Sequence, residues 1–266
     1  MLRPPMATNY APQPLHPRGQ TIALPHLELY YEEYGVGQPL LLLHGFGGCA
    51  QNWLPFTAEL AAHYRLLVVE LRGHGYSTNP DNVFTHRDAA RDVFQLLDKL
   101  GVARFSAMGM SSGAMTLLHM ATSAPQRLEA LVLVSATTHF PAQARAIMRG
   151  ASWRTLPHPV QEMYRECAKR GEAQVQALLS QFNALADNED DMAFTPEQLA
   201  TITARTLVVH GDRDRFFPVA IAVTLSRAIP EATVWIIASG EHVPIYEATV
   251  SFTDTALRFL KGLARQ

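Results

Sequence analysis

Short runs of consecutive apolar residues punctuate the chain at residues 39–43, 65–71, 104–109, 131–134, 206–210 and 233–238, and residues 27–34 alternate in part. Runs of this length, bounded by glycine or charge, suit strands buried on both faces. Between several of them the period changes to that of a helix. The clearest case spans 86–100, with Ala89, Ala90, Val93, Phe94, Leu97 and Leu100 on one face. Thr85 precedes it as N-cap with Asp88 three residues on, and Gly101 follows its end. Strands alternating with helices predict an α/β fold: a mostly parallel sheet with helices on both faces.

The alternation breaks once. From 138 to 205 no strand is evident, and helices are expected at 143–149, 160–170, 172–186 and 197–203, the last started by Thr195 and Pro196. This predicts an α/β core of residues 21–137 and 206–266 with a helical cap, 138–205, inserted between two strands. Residues 1–20 contain five prolines and no apolar stretch of signal-peptide length, and are expected to be an irregular tail.

Composition narrows the function classes. With 22 basic and 24 acidic residues the chain lacks the positive field of a nucleic-acid binder. Its apolar runs fall far short of the ~20 residues that span a bilayer. Cys49 and Cys167 are the only cysteines, and a cytoplasmic protein with two reduced thiols is expected. A small-molecule substrate is the partner that remains. No metal motif and no GxGxxG are present, so no cofactor is expected.

The sharpest chemical signal is Gly109-Met110-Ser111-Ser112-Gly113, after one apolar run and before a helical one. Such a strand, tight turn and helix would expose Ser111 at the strand's C-terminal end. A serine hydroxyl needs a base, and His242, in the loop after the last strand, is best placed among eleven histidines. The base needs an acid, for which Asp212 and Asp214 both follow a strand, in the order serine, acid, histidine. In His44-Gly45-Phe46-Gly47-Gly48 the Phe46 N–H, together with that of Ser112, could bind an oxyanion.

These motifs, with Leu71-Arg72-Gly73-His74-Gly75-Tyr76-Ser77, resemble the α/β-hydrolase-fold proteins of the capped bacterial esterase-like kind, from about residue 26 to the C-terminus. The resemblance favours Asp214, last residue of a GxxD turn, and implies a structural role for His74. It also implies a serine hydrolase acting on a carboxylic ester, and the apolar residues of the insertion favour a small or medium, largely apolar acyl group. Hydrolysis of a carbon–carbon bond, lactone or thioester, perhydrolysis, and slow-turnover ligand sensing are the alternatives on the same residues. Phe140, Met148, Trp153, Met163, Phe182 and Met192 of the insertion could line the pocket or pack the insertion onto the sheet, and Trp53 has the same two possible roles.

Overall fold

The computed structural model describes residues 18–263. Eight strands form one sheet: β1 Arg18–Ala23, β2 Glu28–Tyr34, β3 Pro39–Leu43, β4 Arg65–Val69, β5 Phe105–Met110, β6 Leu128–Val134, β7 Arg205–Gly211 and β8 Ala232–Ile237, in the order β1-β2-β4-β3-β5-β6-β7-β8. The β1–β2 and β2–β4 pairs are antiparallel and the remaining five are parallel. The parallel crossovers carry α1 Leu54–Ala61, α2 His86–Lys99, α3 Ser112–Ser123 and α8 Val219–Ala228, and α9 Thr249–Leu260 closes the described chain.

The leucine run of β3 shows why continuous apolar strands are needed. Leu41 and Leu43 face a core shared with Val93 and Leu97 of α2 and Leu117 and Leu118 of α3. Leu40 and Leu42 face the opposite core, with Phe56 and Leu60 of α1 and Phe252 and Ala256 of α9. All four leucines are fully buried, so a polar residue at any of them would face a helix layer with no water to bind.

Between β6 and β7 lie α4 Ala142–Gly150, α5 His158–Cys167, α6 Glu172–Leu185 and α7 Pro196–Leu199. A bridge between His139 and Ala193 draws the two ends of this helical segment together. Thr195 caps α7 by accepting the Gln198 N–H, with Pro196 at the first helical position, but the helix stops after one turn at Leu199, well before 203. The segment holds the turn after β4 from above: Arg170 and Gln174 both donate to the Gly73 carbonyl, at 3.1 and 2.7 Å.

Two expectations are corrected. Residues 18–20, assigned to the tail, open β1, paired along its length with β2, while residues 1–17 lie outside the described residues. Cys49 and Cys167 are not two reduced thiols but a disulfide across 118 positions, their Cα atoms 5.4 Å apart. A count of two cysteines carries no pairing signal, and they meet because α5 folds back over the loop that follows β3. The thiol argument for a cytoplasmic location goes with it. Among the described residues, no helix is long and apolar enough to cross a membrane.

Candidate active site

Ser111 sits between β5 and α3 with φ 50° and ψ −117°, a left-handed conformation that costs a non-glycine residue of order 1–3 kcal/mol. Its neighbours allow the turn. A Cβ on Gly109 would lie 2.6 Å from the Gly113 carbonyl carbon, and one on Gly113 would overlap the Leu43 carbonyl. The two glycines therefore let α3 leave β5 at once and pass close over β3, which is the physical content of the GxSxG spacing. The Ser111 N–H donates to the Val134 carbonyl at 2.8 Å, fixing the turn to β6.

His242 reaches this serine from the loop after β8, its Nε2 2.9 Å from Ser111 Oγ. Its Nδ1 is 2.8 Å from Asp214 Oδ2, in the loop after β7. The carboxylate is itself oriented, because Oδ1 accepts the backbone N–H groups of Phe216 and Phe217 at 2.7 and 3.0 Å. Burial pushes the Asp214 carboxyl up, but the hydrogen bond and charge of His242 and the Phe217 N–H outweigh it and hold the group below its usual range. The Nδ1–H is thus the donor to Asp214, leaving the Nε2 lone pair toward the serine hydroxyl. Asp212 is exposed and the structure brings it to neither residue. Behind the histidine, Val243 takes a left-handed φ of 59° and donates its N–H to Ser135 Oγ at 3.1 Å.

Phe46 lies in the loop after β3 and Ser112 is the first residue of α3. Among the described residues, neither backbone N–H donates to another protein group. The loop is braced by two fully buried histidines. His74 Nε2 accepts the Gly47 N–H at 3.0 Å, and His44 Nε2 accepts the Leu71 N–H at 3.0 Å. Glu70, fully enclosed, accepts the N–H groups of Ala50 and Tyr76, and its carboxyl is raised to about 7, chiefly by burial. His44, His74 and His210 thus take structural places, His210 donating from Nε2 to the Phe217 carbonyl at 2.9 Å.

An aromatic ring runs from Phe46 through Phe84, His86, Phe140, Phe217, Phe216 and Phe182 back to Phe46, each neighbouring pair of centroids 5.0–6.5 Å apart. Phe216 and Phe217 also flank His242. Of the pocket candidates in the helical segment, Phe140 and Phe182 join this ring. Met148 and Met192 are buried in the main core, and Trp153 and Met163 pack around Tyr164. Trp53 is wholly inside the core beneath α1.

Sequence reasoning missed a second polar chain. His86 Nε2 lies 3.1 Å from Ser112 Oγ and its Nδ1 2.6 Å from Asp191 Oδ2, all three side chains buried. The helical pattern of residues 86–100 places His86 only at a helix start, and no motif points to Asp191. The available signal is the Ser112 hydroxyl beside the Ser111 position at the head of α3. Among the described residues, no group of three or more His, Cys, Asp or Glu is arranged to hold a metal ion.

The chain is similar to known proteins over most of its length. A dihydrolipoyllysine-residue acetyltransferase component of the acetoin cleaving system from Pseudomonas putida is 29% identical over 85% of this chain, which spans only 64% of that relative's length. A pimeloyl-[acyl-carrier protein] methyl ester esterase from Vibrio vulnificus (strain YJ016) is 25% identical over 87% of this chain and 98% of its own. Among solved structures, a meta-cleavage product hydrolase from Pseudomonas fluorescens IP01 superposes with a TM-score of 0.80, covering 92% of this chain and 98% of that one at 19% identity, a likeness of fold. The model of the alpha/beta hydrolase fold matches residues 38–174, about half of the chain, across β3, the LRGHGYS turn and the serine turn. On these grounds the chain belongs to the alpha/beta hydrolase fold family.

Proposed function

We propose that the protein is a serine hydrolase that cleaves a carboxylic ester of a small or medium, largely apolar acyl group through an acyl-Ser111 intermediate. The observation that carries this reading is the continuous chain Ser111 Oγ, His242, Asp214, with contacts of 2.9 and 2.8 Å. Ser111 Oγ attacks the ester carbonyl as His242 Nε2 takes its proton. Asp214 holds the tautomer and stabilises the imidazolium that results. The Phe46 and Ser112 N–H groups receive the oxyanion, and each such donor typically contributes ~10²–10³ in rate. His242 then returns the proton to the leaving alcohol, and water activated by the same histidine releases the acid. The helices between β6 and β7 act as the cap.

Six phenylalanines and no cation in the aromatic ring support an uncharged acyl group. Arg145, whose guanidinium lies 5.9 Å from the Phe140 centroid, is bound to the carbonyls of Phe140, Ala186 and Asn188.

The test is p-nitrophenol release from acetate, butyrate, octanoate and palmitate esters by the unaltered protein and Ser111→Ala. Turnover that vanishes in the variant supports the reading. A folded protein inactive on all four overturns it in favour of lactone, thioester or carbon–carbon substrates, assayed side by side.

A further inference from the structure

We propose that Asp191 and His86 are positioning residues that, through the hydroxyl of Ser112, fix the backbone N–H of Ser112 toward the reacting carbonyl oxygen. The proposal rests on the reading of Ser111 as nucleophile and adds a second hydrogen-bonded chain, serine, histidine and aspartate, one residue away from the first. This second chain is no alternative nucleophile, because Ser112 is only 2% exposed and its hydroxyl points into the core.

The chain begins at the cap. Asp191 lies between α6 and α7, and its carboxylate accepts three N–H groups at the start of α2: the backbone N–H of His86 at 2.9 Å, that of Arg87 at 3.1 Å and the His86 ring Nδ1–H at 2.6 Å. Its own carbonyl meets His119 Nε2 at 2.7 Å, on the α3 face two turns beyond Ser112. Asp191 therefore ties the helical segment to both α2 and α3. Burial would raise its carboxyl, yet His86 and the backbone donors hold it at about 2, so it is ionised throughout the working range. An ionised Asp191 fixes the donor on His86 Nδ1, which leaves Nε2 to accept the Ser112 hydroxyl proton.

The effect on the oxyanion site follows from where Ser112 sits. As the first residue of α3 its N–H has no partner inside the helix, and its direction is set by how the first turn is held. The backbone holds it through the Met115 N–H on the Ser111 carbonyl at 2.9 Å, and two side-chain bonds add to this: the hydroxyl is held by His86, and the carbonyl by the Thr116 hydroxyl at 2.8 Å. Phe84 and Phe140 pack on His86 at 5.3 and 5.9 Å and keep the imidazole from turning away. A core of this kind could be filled by apolar side chains. Burying a serine, a histidine and an aspartate instead carries a desolvation cost that geometry, and not packing, explains.

The experiment compares Ser112→Ala, His86→Phe, His86→Gln and the double variant His86→Phe/Ser112→Ala with the unaltered protein. Kinetics on the best p-nitrophenyl ester are read together with inhibition by a boronic acid that forms a tetrahedral adduct on Ser111. The expected result is a fall in kcat of about tenfold or more for Ser112→Ala and for His86→Phe with KM nearly unchanged, part of what losing one oxyanion donor costs. The boronate inhibition constant should rise by the same factor as kcat/KM falls. The double variant should be no worse than either single one. His86→Gln, whose amide offers an acceptor and a donor at imidazole-like spacing, should recover activity to within about threefold. Additive losses, or a lowered melting point with an unchanged boronate constant per folded molecule, would overturn the positioning role. Ser111→Ala is run alongside: its loss of turnover with additive effects rejects the positioning role alone, whereas turnover surviving in it rejects the nucleophile reading as well.

Discussion

His44 and His74 each hold the other's loop: the ring that follows β3 binds the Leu71 N–H after β4, and the ring that follows β4 binds the Gly47 N–H after β3. Both rings accept at Nε2 because their Nδ1 atoms donate to carbonyls, His44 to Gly45 and His74 to Arg72. Protonation would remove both acceptors, and burial lowers His44 to about 4 and His74 well below the usual histidine range. His119 is lowered to about 4 on the same ground.

These histidines set an acid limit on stability. In the unfolded chain each takes a proton near pH 6.5, which the folded protein refuses until well below that, at about pH 4 for His44 and His119, so their contribution is present above 6.5 and lost as pH falls. For His44 the loss is roughly 3 kcal/mol. Glu70, raised to about 7, works in the opposite sense, its contribution present below the ordinary carboxyl range and lost as pH rises through 7. Three histidines outweigh one carboxyl. Urea unfolding from pH 8 to pH 4 should show stability falling steeply below 6.5, and a flat profile there would contradict the assignment.

Asp214→Asn removes the charge that supports the imidazolium while leaving an oxygen for the Phe216 and Phe217 N–H groups. The fold should be unchanged by circular dichroism, and kcat should fall roughly 10⁴-fold. A fall of less than tenfold would mean that His242 does not depend on this carboxylate.

Reduction should loosen the cap. The Cys49–Cys167 disulfide joins the loop carrying Phe46 to α5, and one turn earlier Tyr164 packs so closely on Gly47 that a Cβ there would lie 2.5 Å from its ring. Closing a loop of 118 residues contributes about 5 kcal/mol in the chain-entropy model. A strong reductant should lower the melting temperature by roughly 5–15 °C. The Cys49→Ala/Cys167→Ala protein should melt at the lower temperature with or without reductant. Equal melting of the oxidised and reduced protein would show that the bond contributes nothing.

Phe182, on α6, bridges Phe46 and Phe216 in the aromatic ring. Phe182→Ala should open that side of the ring and raise the ratio of octanoate to acetate kcat/KM by about tenfold, the scale of one methylene contact. An unchanged ratio would place the acyl chain elsewhere.

Much of this architecture is legible in the chain because the parallel core demands apolar residues on both faces: the four leucines of β3 announce a central strand before any partner is known. Thr85 and Thr195 mark their helix starts by side-chain chemistry that acts locally. Ser111, Asp214 and His242 are legible as motif residues because each stands at a strand end, where the sheet brings distant segments together. β1 was not legible, since an edge strand reading Arg18-Gly19-Gln20-Thr21-Ile22-Ala23 needs no apolar run. Nor were the disulfide and the His86–Asp191 pair, whose partners are 118 and 105 residues apart and meet only once the helical segment has folded back on the core.

The acyl-Ser111 intermediate is tested most directly by quenching the protein with acid during turnover of a p-nitrophenyl ester and mapping the added mass by peptide mass spectrometry. The acyl increment should lie on the peptide containing Ser111 and be absent from Ser111→Ala. Steady turnover with no adduct, or an adduct carried by another residue, would contradict the account.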